Sequence, residues 1–392
     1  MNPPLLSRLA LDWSSALPSD GKDEEQSAVL DLIGATVQDH GLRFPEALLE
    51  RIVAEALKGE SVRRYLPDSR GQLQARQSVV EWYERRQYAV DAEQVLLTPG
   101  TSFGYFLAFR LLCNPGDEVL IPSPGYPLFE DLAAAAGVKL RYWHMTSKVN
   151  ADGSTVWGID PEEIAFQMTP RTRALVVVSP HNPTGHVLTH EDWEAIGRLC
   201  GERRLPLLVD EVFCEWLKPG ELLPRPRETQ GFPLILVLNG ISKMLALPQW
   251  KLAWLAVLGT DGESKRRFLE GAAHLADAFL AVGELQQGML PELLIQEEWM
   301  LRLGTEMGRR RAAVRGAFEP GALASEDAGA YLCLRIQQAS RESEVVRSLR
   351  ETHGVLVHPG AFYHLPGHLV MTCIHSGAGD SAILGALSAA LR

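Results

Sequence analysis

No stretch of this sequence approaches the roughly 20 uninterrupted apolar residues that a membrane helix needs, and residues 1–8 lack the apolar run of a secretory signal. No membrane partner is expected, and the reading is of a cytoplasmic protein. Cysteine is scarce. The five residues Cys113, Cys200, Cys214, Cys333 and Cys373 are widely spaced, odd in number and form no CxxC pair. That excludes a disulfide scaffold and offers no metal-ligand pattern, so reduced thiols and no bound metal are expected. Charge of one sign is nowhere massed beyond the short Asp23-Glu24-Glu25 cluster. Lys plus Arg total 38 against 49 Asp plus Glu, a net charge of −11, which disfavours a nucleic-acid partner. Internal repeats and low-complexity tracts are absent as well.

What is present is ordinary globular material: 392 residues, 46% hydrophobic and 22% charged, enough for two or three domain-sized units. Between about residues 70 and 260, short β-rich apolar runs (95–98, 118–122, 139–143, 174–178, 206–210, 234–238 and 253–257) alternate with helical patterns such as 72–88, 102–112 and 190–203. Three of the runs are apolar at consecutive positions, as strands covered on both faces are. The alternation predicts an α/β domain with a mostly parallel sheet and helices on both faces. Beyond residue 263 a long helical stretch to 318 gives way to strand patterns at 330–336, 354–360 and 368–374, with helices at 342–353 and at the end. The predicted plan is a large domain over 43–262 and a smaller α+β domain built from 1–42 and 263–392.

In such a sheet, ligands bind outside the carboxyl ends of the strands, and four of those ends carry informative residues. Pro99-Gly100-Thr101-Ser102 follows the first run and opens a helix, a candidate phosphate site. Asn182-Pro183-Thr184-Gly185 follows the fourth, Asp210 ends the fifth, and Ser242-Lys243 follows the sixth, with Lys251 eight residues on. Each alone has an ordinary structural reading: a turn, a helix cap, a solvated lysine.

Taken together, the order Gly-Thr-Ser, aromatic, Asn-Pro-Thr-Gly, Asp, Ser-Lys and second cation resembles the class I/II aminotransferases, pyridoxal-phosphate enzymes of fold type I, over about residues 40–392. The resemblance implies pyridoxal 5'-phosphate as cofactor and transfer of an amino group between an amino acid and a 2-oxo acid. Lys243 would form the Schiff base and shuttle the proton, Asp210 would hold the pyridine nitrogen, and Tyr126 would stack on the ring. Asn182 would bond the ring oxygen, and Gly100, Thr101, Ser102, Ser242 and Lys251 would hold the phosphate. Tyr65 matches the tyrosine that reaches the phosphate of a neighbouring subunit, which implies a homodimer with shared sites.

Three positions depart from the family pattern. Phe213 replaces a tyrosine three residues after the aspartate, which leaves the ring oxygen one donor short. Lys251 replaces an arginine, keeping the charge but losing the planar fork. Val370 stands where an arginine would clamp the substrate's α-carboxylate, and no arginine lies between Arg350 and Arg392. Arg335 is the replacement that the sequence suggests, with Gly34 and Ala35 as pocket-lining residues. The missing clamp also motivates an alternative: a lyase, decarboxylase or cyclase on the same scaffold.

Overall fold

The computed structural model describes residues 30–34, 36–218, 220–279, 282–375 and 381–392. Expectations for residues 1–29 and for Ala35 lie outside these. The large sheet has seven strands: β2 (Val95–Thr98), β3 (Glu118–Ser123), β4 (Lys139–His144), β7 (Thr172–Val178), β8 (Leu207–Asp210), β9 (Ile235–Gly240) and β10 (Ala253–Leu258), in the order β2-β10-β9-β8-β7-β3-β4. All run parallel except β10, which is antiparallel to both neighbours.

Why these runs are apolar at every position follows from the period of two. In β8, Leu207 and Val209 face one core and Leu208 the other; in β9, Ile235 and Val237 are set against Leu236 and Leu238. The first face is covered by helices Leu73–Glu84 and His190–Arg203, the second by Thr101–Leu112, Leu128–Ala136 and Gly262–Phe279. The last of these corrects the expected boundary at 263. Phe268, Ala272 and Ala276 recur at helical spacing and bury against the large sheet, so that helix belongs to its packing. A hairpin of β5 (Thr146–Val149) and β6 (Thr155–Gly158) was not expected, because its largely polar residues carry no strand-like apolar run.

The smaller unit holds a three-stranded antiparallel sheet in the order β11 (Tyr331–Arg335), β14 (His368–Thr372), β13 (His358–Pro359). β1 (Leu30–Asp31) pairs parallel with β12 (Val355–Leu356), tying residues before the large sheet to this unit. Leu332, Leu334, Leu369 and Met371 pack against helices Glu342–His353 and Ser381–Ala390, while Tyr331, Cys333 and Val370 turn toward the large unit. The two units interlock at Gly185. Its φ of +72° suits glycine, and a Cβ there would sit 2.7 Å from the Glu326 carbonyl oxygen. All five cysteines are buried and outside disulfides. Among the described residues, no helix is long and apolar enough to cross a membrane.

Candidate active site

A cavity of about 240 Å³ opens at the carboxyl edge of the large sheet. The segments after β2, β3, β7, β8 and β9 all reach it, bringing Thr101, Tyr126, Asn182, Asp210, Phe213, Ser242 and Lys243 together. These residues span more than 140 positions of sequence, and only the parallel strand order collects them.

The adjacent acids Asp210 and Glu211 part company by the same period of two. Asp210 turns to the cavity, where its Oδ1 accepts the Val212 N–H at 3.0 Å and its Oδ2 accepts the Tyr105 hydroxyl at 3.0 Å. Glu211 turns to the opposite face and is fully buried. There it accepts from Tyr83 Oη (2.8 Å), Asn239 Nδ2 (2.9 Å) and Arg225 Nε (2.6 Å), a closed polar network with Trp254 Nε1 on the Tyr83 oxygen at 3.1 Å.

Asp210 and Lys243 keep some exposure toward the cavity that they line, while the surrounding protein desolvates them. Burial pushes the Asp210 carboxyl up to about 6 and pulls the Lys243 ammonium down to about 8. Lys243 Nζ lies 5.9 Å from the centroid of the Phe213 ring. Helix Thr101–Leu112 begins after Gly100 with no side-chain cap, so no side chain competes with an anion for the N–H groups of Thr101 and Ser102. Asn182 Oδ1 is buried without a hydrogen-bond partner. A desolvated amine, a desolvated carboxylate, a buried amide beside them and an uncapped helix start around one cavity fit the chemistry of pyridoxal phosphate.

Other expected residues lie elsewhere. Ser102 and Lys251 are exposed and outside the cavity lining, and Lys251 takes a left-handed conformation at φ +50°. Tyr65 is 76% exposed on a separate cleft beside Asp68 and Gln287. Gly34 sits in the turn after β1, its N–H on Asp31 Oδ1 at 3.0 Å, and is outside the cavity lining. Ala35 lies outside the described residues. Val370 is fully buried, paired with Cys333 and His358.

Arg335 corrects the sequence reading. It shares the correct face of β11 with Tyr331, but four residues on, about 13 Å along the strand. Its guanidinium bonds the Gly321 carbonyl at 2.8 Å and Thr155 Oγ1 at 3.0 Å. Arg335→Ala is therefore expected to leave the KM for a carboxylate substrate within about twofold, whereas loss of a true carboxylate clamp would raise it roughly 30-fold or more. Steady-state kinetics of the variant separates the two.

Sequence reasoning missed Tyr105 and Tyr331, both of which line the cavity. The first was legible: Thr101 and Tyr105 are four apart on one helix and share a face. Tyr331 comes from the smaller unit, and its ring meets Phe213 at 6.4 Å and Tyr363 at 6.1 Å. Tyr126 lies 6.2 Å from Tyr363, and the Gly125 N–H on the Tyr363 carbonyl fixes that approach.

Comparison with known proteins agrees with this geometry. The family model described as aminotransferase class I and II matches residues 34–384. An arginine–pyruvate transaminase of Pseudomonas aeruginosa is 32% identical over 227 residues, 57% of this chain and 55% of that one. This chain thus spans about half the length of that relative. A glutamate–pyruvate aminotransferase of Haemophilus influenzae is 26% identical over 359 residues, 88% of this chain and 86% of that one. An aminotransferase structure from Escherichia coli superposes with a TM-score of 0.84 at 22% identity, covering 100% of this chain and 98% of that one, a shared fold. With the match running from the loop after β1 into the last helix, the chain belongs to the class I and II aminotransferases, a family of pyridoxal-phosphate enzymes.

Proposed function

We propose that this chain moves an amino group between an amino acid and a 2-oxo acid, with pyridoxal phosphate held at Lys243. The observation that carries the reading is the pairing of Lys243 and Asp210 around one cavity, each shifted by burial toward its neutral form. When bound, the cofactor supplies an electron sink for the substrate's α-carbon. Lys243, brought near neutrality, can take a proton there and return it. Asp210 would supply the charge that a ring nitrogen needs, Asn182 would offer its amide N–H to the ring oxygen, and Tyr126 would cover the ring face. Gly100, Thr101 and Ser242 would hold the phosphate at the helix start, Ser102 and Lys251 standing outside the cavity lining. The aromatic wall of Phe213, Tyr331 and Tyr126 keeps bulk water from the reacting atoms.

Among the described residues the cavity lining contains no arginine. The substrate carboxylate then meets the neutral donors Tyr126, Tyr331 and Asn182, whose hydrogen bonds are roughly half as strong as charge-assisted ones. We further assign the protein to the cytoplasm as a homodimer. The exposed Tyr65, flanked by exposed Leu66 and Leu73, is available to a second copy.

The relatives are named as aminotransferases, which supports transfer over elimination or decarboxylation. The test is an absorbance scan of cofactor-loaded protein against a panel of amino acids and carboxylate-free amines, followed by product analysis with an added 2-oxo acid. A new amino acid formed from the oxo acid is the expected result. Ammonia with pyruvate, or carbon dioxide, would replace transamination with the lyase reading. Response to amines alone would mean that Val370 marks a donor without a carboxylate.

A further inference from the structure

We propose that Tyr105 is a positioning residue for the reaction: its phenol fixes the Asp210 carboxylate and holds it ionised for the cofactor's ring nitrogen. The inference rests on the reading of Asp210 given above. Its basis is geometric. Tyr105 is 1% exposed, and its hydroxyl donates to Asp210 Oδ2 at 3.0 Å. The ring cannot swing away, because it meets Phe129 edge-on at 5.1 Å and Phe109 at 6.0 Å. Asp210 Oδ1 is tied to the Val212 N–H, so both oxygens are oriented and the carboxylate is not free to rotate. An oxygen with two lone pairs can accept the phenol and still face a ring N–H in the cavity.

The surroundings of Asp210 make this one donor count. Burial opposes its negative charge, and the neighbouring Glu211 adds to the opposition, although Glu211 points to the other face and is paired with Arg225. From the other packed elements, Lys243 of the 241–244 helix and Tyr331 of β11 line the same cavity. The Val212 N–H and the Tyr105 phenol are what favour the ionised form. A carboxylate that gained the proton itself would no longer balance a protonated ring. A phenol donating to it keeps that proton on the ring side. Desolvation also raises the Tyr105 phenol itself, so it remains a donor across the working pH range.

Tyr105→Phe removes one oxygen and keeps the ring packing. The experiment is a titration of apo-protein with pyridoxal 5'-phosphate from pH 5 to 9, for the wild type, Tyr105→Phe and Asp210→Asn, with urea unfolding of each as a folding control. The expected result for Tyr105→Phe is an upward shift of about one unit in the midpoint of the affinity–pH curve. Affinity would fall about tenfold on the acid side and rejoin the wild type near pH 8.5. A loss of equal size at every pH, the signature of packing alone, would overturn the inference, as would an unchanged curve. Asp210→Asn tells the two levels apart. If it binds with the wild-type curve, the assignment of Asp210 falls and this inference with it. If it loses the pH dependence while Tyr105→Phe keeps the wild-type curve, only the role of Tyr105 falls.

Discussion

Lys243→Ala is expected to lower turnover by about 10²–10⁴-fold, the range for removal of a positioned acid–base group, and to abolish the borohydride-reducible link between protein and cofactor. Burial lowers the ammonium to about 8, so near neutrality a usable fraction is the free amine. The sign of the pH dependence follows. Below pH 8 the amine is mostly protonated and cannot attack, so in the wild type the rate of cofactor attachment rises about tenfold per pH unit toward 8 and levels above it. The variant loses that slope. Its apo form keeps its stability at neutral pH, because the desolvation cost of the amine is removed with the amine. Reduction with borohydride followed by mass measurement checks the first outcome, and urea unfolding of the apo-proteins checks the last. A link that survives in the variant would move the nucleophile to another lysine.

Arg225→Met is expected to cost about 3–5 kcal/mol of stability, the usual consequence of leaving one charge of a buried pair uncompensated. Glu211 is fully buried, and Arg225 is 6% exposed with Nε 2.6 Å from Glu211 Oε2. The guanidinium also lies 5.5–5.7 Å from the ring centroids of Trp82, Tyr83 and Tyr88, contacts that the methionine only partly replaces. The double variant Arg225→Met with Glu211→Gln is expected to regain much of the loss, since no bare charge is then left inside. Denaturant unfolding of both proteins gives the comparison. A cost below about 1 kcal/mol for the single change would mean that the Tyr83 and Asn239 donors satisfy Glu211 without the guanidinium.

How much of this was legible before the fold depends on the range of the interaction that decides each residue. Consecutive apolar positions in Leu207-Leu208-Val209 announce a strand covered on both sides, because side-chain direction is a property of two neighbouring residues. The same parity sends Asp210 one way and Glu211 the other. Which face holds the cavity is set by Thr101–Leu112 packing there, a contact across about a hundred residues. The Gly100 turn, Asn182, Asp210 and Lys243 could be picked out because each lies at or just beyond the carboxyl end of a strand, in an order that resembles the class I/II aminotransferases. Tyr105 could have been read from its spacing to Thr101.

Tyr331 and Arg335 could not be resolved that way. They lie on one face of one strand, and only the docking of the smaller sheet puts Tyr331 at the cavity and Arg335 at Thr155. The helix Gly262–Phe279 was misassigned for a related reason: its apolar stripe at 268, 272 and 276 fits any core of suitable shape. The sequence by itself determined the strands of the large sheet and its mostly parallel character, since those follow from local period, while the amine and the carboxylate were named by the resemblance of their motifs to a family. The tertiary structure alone decided which phenol touches the carboxylate, which arginine is spent on joining the two units and where Val370 is enclosed. Those outcomes depend on packing between segments far apart in the chain.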